Sequence, residues 1–332
     1  MGAFAAAVLA LAAAGCGRSL PEDEPVATGP AETGAFELDE GTGGGGEALS
    51  GRIEVDGSST VAPIATLAAE RFQRDNPDVK VTVGVSGTGG GFERFCGGET
   101  DLSDASRPIK DEEAEVCADA GIEYVEFQIA NDALTLVVNK DNDWADCLTV
   151  GELEKIWEPD SDVSNWRDVR ASFPDEELEL FGPGTDSGTF DYFTAEINGE
   201  EGASRSDYTA TEDDNVIVQG VSGTSGALGY FGFSYFEQNQ DRLKAVAVDD
   251  GDGCVEPSVE SAQRGEYKPL SRPLFVYAKR DAFAEPQVAA FVRFMLANEQ
   301  ALADDALFVA LTDEQLERQQ GAFDDALAED GS

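Results

Sequence analysis

Histidine does not occur anywhere in the 332 residues. Its absence removes the usual general base and excludes Ser-His-Asp and Cys-His catalysis. Basic residues are scarce: 22 Lys and Arg stand against 67 Asp and Glu, a formal net charge of −45. Such a surface is a poor partner for nucleic acid or an anionic membrane. Cysteine is limited to Cys16, Cys96, Cys117, Cys147 and Cys254, with no Cys-x-x-Cys pair. Without histidine to complete a ligand set, that spacing speaks against a zinc site. The apolar run AFAAAVLALAAA, residues 3–14, is too short to cross a bilayer comfortably.

What is present is enough for two ordinary domains, with 41% hydrophobic residues to build packed cores. The acidity is spread along the chain and accompanies hydrophobic periodicity, so it reads as surface and not as disorder. A solvated acidic surface suits a halophilic, high-salt setting, where the screening length shrinks to about 3 Å near 1 M salt. The 3–14 run, followed by Gly15 and Cys16, has the form of a secretion signal. Small residues before one Cys resemble a bacterial lipobox, which predicts a lipidated Cys16 and a signal over residues 1–16. Two features depart from that pattern: no Lys or Arg precedes the run, and Ala13 stands where Leu is usual. Residues 17–50, rich in Pro, Gly and acid and ending in GTGGGGEALS, predict a flexible linker. The protein is therefore expected outside the cytoplasm, touching the membrane only through a lipid anchor. The other four cysteines are an even number in an oxidising compartment, and three pairings are open.

One pattern recurs three times. Ile53 and Val55 alternate as a short strand that runs into DGSSTVAP, after which Val61, Ile64, Leu67, Ala68 and Phe72 recur at helical spacing up to Asn76-Pro77. Val79, Val81, Val83 and Val85 form a second strand that breaks into SGTGGG, and Phe92 and Phe95 open a helix. Leu178, Leu180 and Phe181 lead into GPGTDSGT, and Phe190, Phe193 and Ile197 line a third helix. This last turn is no nucleotide P-loop, because Gly188 is followed by Thr189 where a P-loop needs Lys. Each turn alone reads as an ordinary helix cap. Together they predict one anion site: helix N-termini offer unpartnered N–H groups and partial positive charge, Gly permits close approach, and hydroxyls add donors. Open α/β sheets bind ligands at the carboxyl ends of their strands, where such turns lie. TDLSDASRPIK, residues 100–110, adds Arg107, whose planar guanidinium can grip an oxyanion with two parallel hydrogen bonds.

With VIVQGVSGTSGALGYFGFSYF and YKPLSRPLFVY further along, these motifs resemble, in order, the periplasmic phosphate-binding proteins of phosphate ABC importers. The resemblance covers roughly residues 51–330. It implies a two-lobed α/β periplasmic-binding-protein fold (type 2) with two hinge strands, closing over one dehydrated phosphate, with no catalysis and no cofactor. It also implies a membrane permease as partner and a monomeric state. Carried over by position, Ser59 and Thr60 donate from the first turn, and Ser86, with Thr88 in reserve, from the second. Ser187, Gly188 and Thr189 match the family's Ser-Gly-Thr clamp. The best-known members place an Asp after the second turn and an Arg just ahead of the clamp. Here Arg107 falls near the place of that Asp, and Pro183 and Gly184 near that of the Arg.

Hydrogen phosphate carries a proton that sulfate lacks, so a buried acceptor carboxylate favours phosphate and repels sulfate. Asp186 and Asp56 are the predicted acceptors; if both face away, the fold would suit sulfate, molybdate or tungstate instead. DALTLVVNK (132–140) and RPLFVYAKR (272–280) read as the hinge strands. That assigns residues 51–135 and 275–332 to lobe 1 and 136–274 to lobe 2, with the apolar FVRFML helix packing on lobe 1. Cys96–Cys117 and Cys147–Cys254 are then the favoured disulfides, because each closes a loop within one lobe. A hydrolase built on Ser187 is disfavoured: the Gly-x-Ser-x-Gly elbow and His are missing, and no Lys neighbours these turns.

Overall fold

A computed structural model of the chain describes residues 48–330 apart from Asp186. The expected signal, Cys16, nearly all of the linker and Asp186 lie outside the described residues. Among those described, no helix is long and apolar enough to cross a membrane.

The chain opens as alternating strands and helices. In order come β1 (Gly51–Gly57), α1 (Ala62–Asp75), β2 (Val79–Val85), α2 (Gly87–Cys96), β3 (Leu102–Ala105) and α3 (Asp111–Asp119). β1 pairs in parallel with both β2 and β3, and parallel strands need such helical crossover connections. β4 follows, 16 residues long (Tyr124–Asn139). The middle of the chain holds β5 (Cys147–Thr149), α4 (Val150–Trp157), α5 (Trp166–Val169), β6 (Glu179–Pro183), α6 (Gly188–Asn198), β7 (Thr209–Thr211), α7 (Asp214–Gly223) and β8 (Ala227–Gly232). It continues through α8 (Phe233–Glu237), β9 (Leu243–Asp249), β10 (Cys254–Val255) and α9 (Val259–Gln263). β11 (Ser271–Lys279) returns to the first sheet, and α10 (Pro286–Ala297), α11 (Glu299–Asp305) and α12 (Asp313–Asp330) close the chain.

β4 belongs to both halves. Residues Tyr124–Ala133 pair antiparallel with β11, whereas Leu134–Asn139 pair with β8 and β9. The full order is β2-β1-β3-β11-β4-β8-β6-β7, with β9 joining β4 to β5 and β10. The chain leaves the first sheet inside β4 and comes back just before β11, where the Leu134 N–H donates to the Leu270 carbonyl at 2.9 Å. Each half has its own core. Ile53, Val55, Ile64, Phe72, Phe127 and Val276 meet Phe291, Met295 and Phe323 of the final helices. Leu136, Trp157, Trp166, Phe193 and Tyr230 build the other, with Phe193 and Tyr230 stacked at 3.9 Å between centroids. Cys96 is bonded to Cys117, tying the end of α2 to α3, and Cys147 to Cys254, tying β5 to β10.

α1 begins with Pro63 in its first turn and ends at Asp75, ahead of Asn76-Pro77, where a Pro ends a helix. α2 differs from its sequence reading: it starts at Gly87, so most of SGTGGG is helix and not turn. Close packing explains this. A Cβ at Gly91 would sit 2.5 Å from Gly57 Cα and 3.0 Å from the Asp56 carbonyl oxygen. Gly91 lets the helix lie directly against β1, a contact that offsets its poor helix propensity of about 1 kcal/mol.

Candidate functional site

The carboxyl ends of β1, β2 and β6 feed three turns toward one cavity of about 510 Å³. In the first turn the Ser58 N–H donates to the Asp104 carbonyl at 2.9 Å, and the Ser58 hydroxyl accepts from the Thr60 N–H at 3.2 Å. These bonds hold Ser58, Ser59 and Thr60 along the cavity wall. The second turn contributes Gly87, Thr88 and Gly89 from the start of α2. Thr88 is fixed by Ser106: the hydroxyls lie 3.1 Å apart, and the Ser106 N–H donates to Thr88 Oγ1 at 3.2 Å. The third turn presents Gly188, followed along one face of α6 by Asp191, Tyr192, Ala195 and Glu196. A Cβ at Gly188 would stand 3.1 Å from Thr60 Oγ1, so the first and third turns approach each other closely across the cavity.

The central cation is Arg272, from the start of β11. Its Nη2 donates to Thr60 Oγ1 at 3.1 Å and its Nε to Asp132 Oδ2 at 3.1 Å. Its guanidinium lies 3.6 Å over the Tyr192 ring, and the Tyr192 hydroxyl donates to the Pro269 carbonyl at 2.6 Å. Arg272 thus touches the first turn, the strand shared by both sheets, and the helix of the third turn. Burial raises the Asp132 carboxyl even though the Arg272 charge and hydrogen bond pull it down. Keeping Asp132 ionised therefore depends on its partner.

Of the nine predicted ligand residues that are described, five line this cavity: Ser59, Thr60, Thr88, Arg107 and Gly188. Arg107 does so with its guanidinium held in a fork by Glu113, at 2.8 and 2.7 Å. Burial pushes the Glu113 carboxyl up, but the bonds from Arg107 and the Lys110 N–H prevail and hold it below its ordinary range. Ser86 and Asp56 are turned elsewhere. The Ser86 hydroxyl donates to the Asp56 carboxylate, which also receives Arg94, and neither residue is in the cavity wall. Ser187 caps α6, accepting from the Thr189 N–H at 3.2 Å, and both stand outside the lining. Beneath the first turn lies Asp104, fully buried, with no donor to either carboxylate oxygen among the described residues. Burial, then the nearby Asp56 charge, pushes its carboxyl up to about 8.

Sequence reasoning overlooked Arg272, Asp191, Tyr192 and Ser106, and its reading that no Lys neighbours the turns is corrected by Lys110, which lines the cavity with them because Pro108 and the start of α3 bring it there. A signal for one was there: Ser-Arg-Pro occurs twice, at 106–108 and 271–273, and the second copy was read only as a hinge strand. Among the described residues no acidic or cysteine cluster could hold a metal ion. Hydroxyls, helix N-termini and the guanidinium groups of Arg272 and Arg107 are groups that can receive a small oxyanion.

The PBP superfamily domain model matches residues 40–299. Protein SphX of Synechococcus elongatus is 50% identical over 262 residues, 78% of this chain and 77% of that protein. The phosphate-binding protein PstS of Staphylococcus saprophyticus is 43% identical over 294 residues, 87% of this chain and 90% of that one. The chain belongs to the PstS-like proteins of the PBP superfamily. A solved structure of a possible phosphate binding protein from Planctomyces limnophilus superposes with a TM-score of 0.80 at 49% identity, covering 84% of this chain and 99% of that one. The fold is accordingly the two-lobed periplasmic-binding one, with β4 and β11 side by side where the halves meet.

Proposed function

We propose that this chain binds inorganic phosphate outside the cytoplasm and delivers it to the permease of an ABC importer. It is a solute-binding component and not an enzyme. The observation that carries the reading is the convergence of three hydroxyl-bearing turns and Arg272 on one cavity, in a chain whose relatives are phosphate-binding proteins. Thr60, Thr88, Ser59, the Gly188 N–H and Arg272 are the inner donors of this reading. Arg107 stands at the wall, paired with Glu113. Ser187 and Thr189 would act by shaping the start of α6. Residues 51–135 with 275–332 form one lobe and 136–274 the other, a division supported by the change of partners within β4 between Ala133 and Leu134. The chain works as a monomer held to the membrane by a lipid on Cys16.

Calorimetric titration of the protein in high salt tests this. Phosphate is expected to bind with a dissociation constant of about 1 μM or tighter, near −8 kcal/mol. Sulfate or molybdate binding equally well would replace phosphate by oxyanions in general, and no heat from any of them would return the three turns to helix capping.

Salt supplies a second expectation. A chain of net charge −45 repels a dianion at long range, whereas the donors of the site act at contact distance. The phosphate association rate measured by stopped flow is therefore expected to rise with salt. A rate that falls steeply would show that local positive potential steers the ligand, against this reading of the surface.

A further inference from the structure

The two arginines of the cavity are seated differently, although each follows a Ser and precedes a Pro. Arg107 commits both terminal nitrogens of its fork to the Glu113 carboxylate, at 2.8 and 2.7 Å, and its guanidinium stands 5.7 Å from the Phe92 ring. Arg272 gives its carboxylate partner one bond only, from Nε to Asp132, and one more from Nη2 to Thr60. A guanidinium has five N–H donors; with two used, three remain without a partner among the described residues. Two bonds fix an axis through the group but not its plane about that axis. The ring that fixes the plane is Tyr192. Its centroid is 3.6 Å from Arg272 Cζ, the contact distance of two carbon atoms, which only a flat guanidinium can reach. The ring itself is held: Tyr192 is 5% exposed, packs in the core of the second half, and donates to the carbonyl of Pro269 at 2.6 Å. Burial raises its hydroxyl despite the Arg272 charge, so the cation meets a neutral phenol.

We propose that Tyr192 is a positioning residue for the anion: its ring holds the Arg272 guanidinium in the plane that turns the remaining N–H groups to the oxyanion. The inference rests on the phosphate reading above and assigns part of the affinity to an uncharged residue whose hydroxyl is already committed to Pro269. Two physical effects act together. The ring face attracts the cation, and more strongly where water is excluded. A donor set oriented beforehand also loses less freedom when the ligand arrives. Tyr192 belongs to α6 and Asp132 to β4, so both halves of the chain aim this one cation.

The test is a set of phosphate titrations on the full chain, varied at 192 with and without Arg272. Tyr192→Phe keeps the ring face but loses the tether to Pro269, and is expected to cost about threefold in affinity. Tyr192→Leu removes the face and is expected to cost about 30-fold. In the Arg272→Met background the same Tyr192→Leu change should alter phosphate affinity by less than about threefold, because the group it positions is gone. An equal loss in both backgrounds would overturn the inference, since the ring would then act on the pocket and not through the cation. So would a Tyr192→Leu variant that binds phosphate within about threefold of the wild type. Phenylalanines bearing one, two and three fluorines, placed at 192, keep the packing while drawing charge from the ring face. Affinity is expected to fall with each fluorine, ending about tenfold below that of Tyr192→Phe. A flat series would overturn the inference even if Tyr192→Leu folds poorly. A wild type that binds no phosphate would overturn the phosphate reading, and the role of Tyr192 with it.

Discussion

Replacing Arg272 by Met is expected to weaken phosphate binding by roughly 100- to 1,000-fold. The residue carries the cation that meets Thr60, and its side chain is only 17% exposed. Two losses combine in the variant. The charge-assisted bonds to the ligand disappear, each worth about 1.5–3 kcal/mol. Asp132, 8% exposed in its side chain, is left as a buried carboxylate beside an anion. Removing one partner of a buried ion pair costs about 3–5 kcal/mol, because the other is stranded. Arg272→Lys should recover only part of the affinity, since an ammonium cannot lie flat over Tyr192 while bonding both Asp132 and Thr60. Adding Asp132→Asn to Arg272→Met separates the effects: thermal stability should return toward the wild type while phosphate affinity stays low. If Arg272→Met bound phosphate within a few-fold of the wild type, the anchoring cation would have to be Arg107, released from Glu113 by the ligand.

Asp104→Asn is expected to make the protein more stable at neutral and alkaline pH, an unusual outcome for a change at a fully buried position. Asp104 has no donor to either oxygen among the described residues, and its carboxyl is raised from 3.8 to about 8 in the fold. The folded state therefore holds a proton that the unfolded state releases, so stability is greatest below pH 3.8 and falls as pH rises toward about 8. At about 1.36 kcal/mol for each unit, the accumulated loss near pH 7 is at most about 4 kcal/mol. Asn has no proton to take up, and its variant should escape most of that loss, gaining about 1–3 kcal/mol near pH 8 and nothing near pH 4. Urea unfolding of both proteins at the two pH values measures it. An equal difference at both, or a variant less stable near pH 8, would mean that Asp104 is ionised and partnered in the fold.

Much of this molecule is legible along the chain because its signals are local. Alternating valines at 79–85 form β2, and the apolar spacing from Val61 to Phe72 forms α1, since each needs only its own periodicity and one apolar face. Ser59, Thr60 and Thr88 reach the cavity because a strand, a hydroxyl-rich turn and a helix place them at the carboxyl end of the sheet. Ser86 could not be separated from Thr88 in this way. The choice between them is made by Asp56 and Arg94, which draw the Ser86 hydroxyl away from the cavity. Nor does turn chemistry alone show that SGTGGG is helical, because that follows from how closely α2 packs on β1.

Composition and motif order by themselves pointed to the class of chemistry: three hydroxyl-rich Gly turns ahead of helices predict a site for a small oxyanion, in keeping with the PstS-like relatives. The tertiary structure alone decided which side chains share the site. Arg272 and Thr60 stand 212 residues apart. They meet because β11 pairs antiparallel with β4 in the register that sets Arg272 beside Asp132. A strand's local pattern says which face a residue occupies, but not which distant strand lies beside it or in which register. Arg272 and the hydroxyls of the first turn therefore converge only once both sheets are assembled around β4.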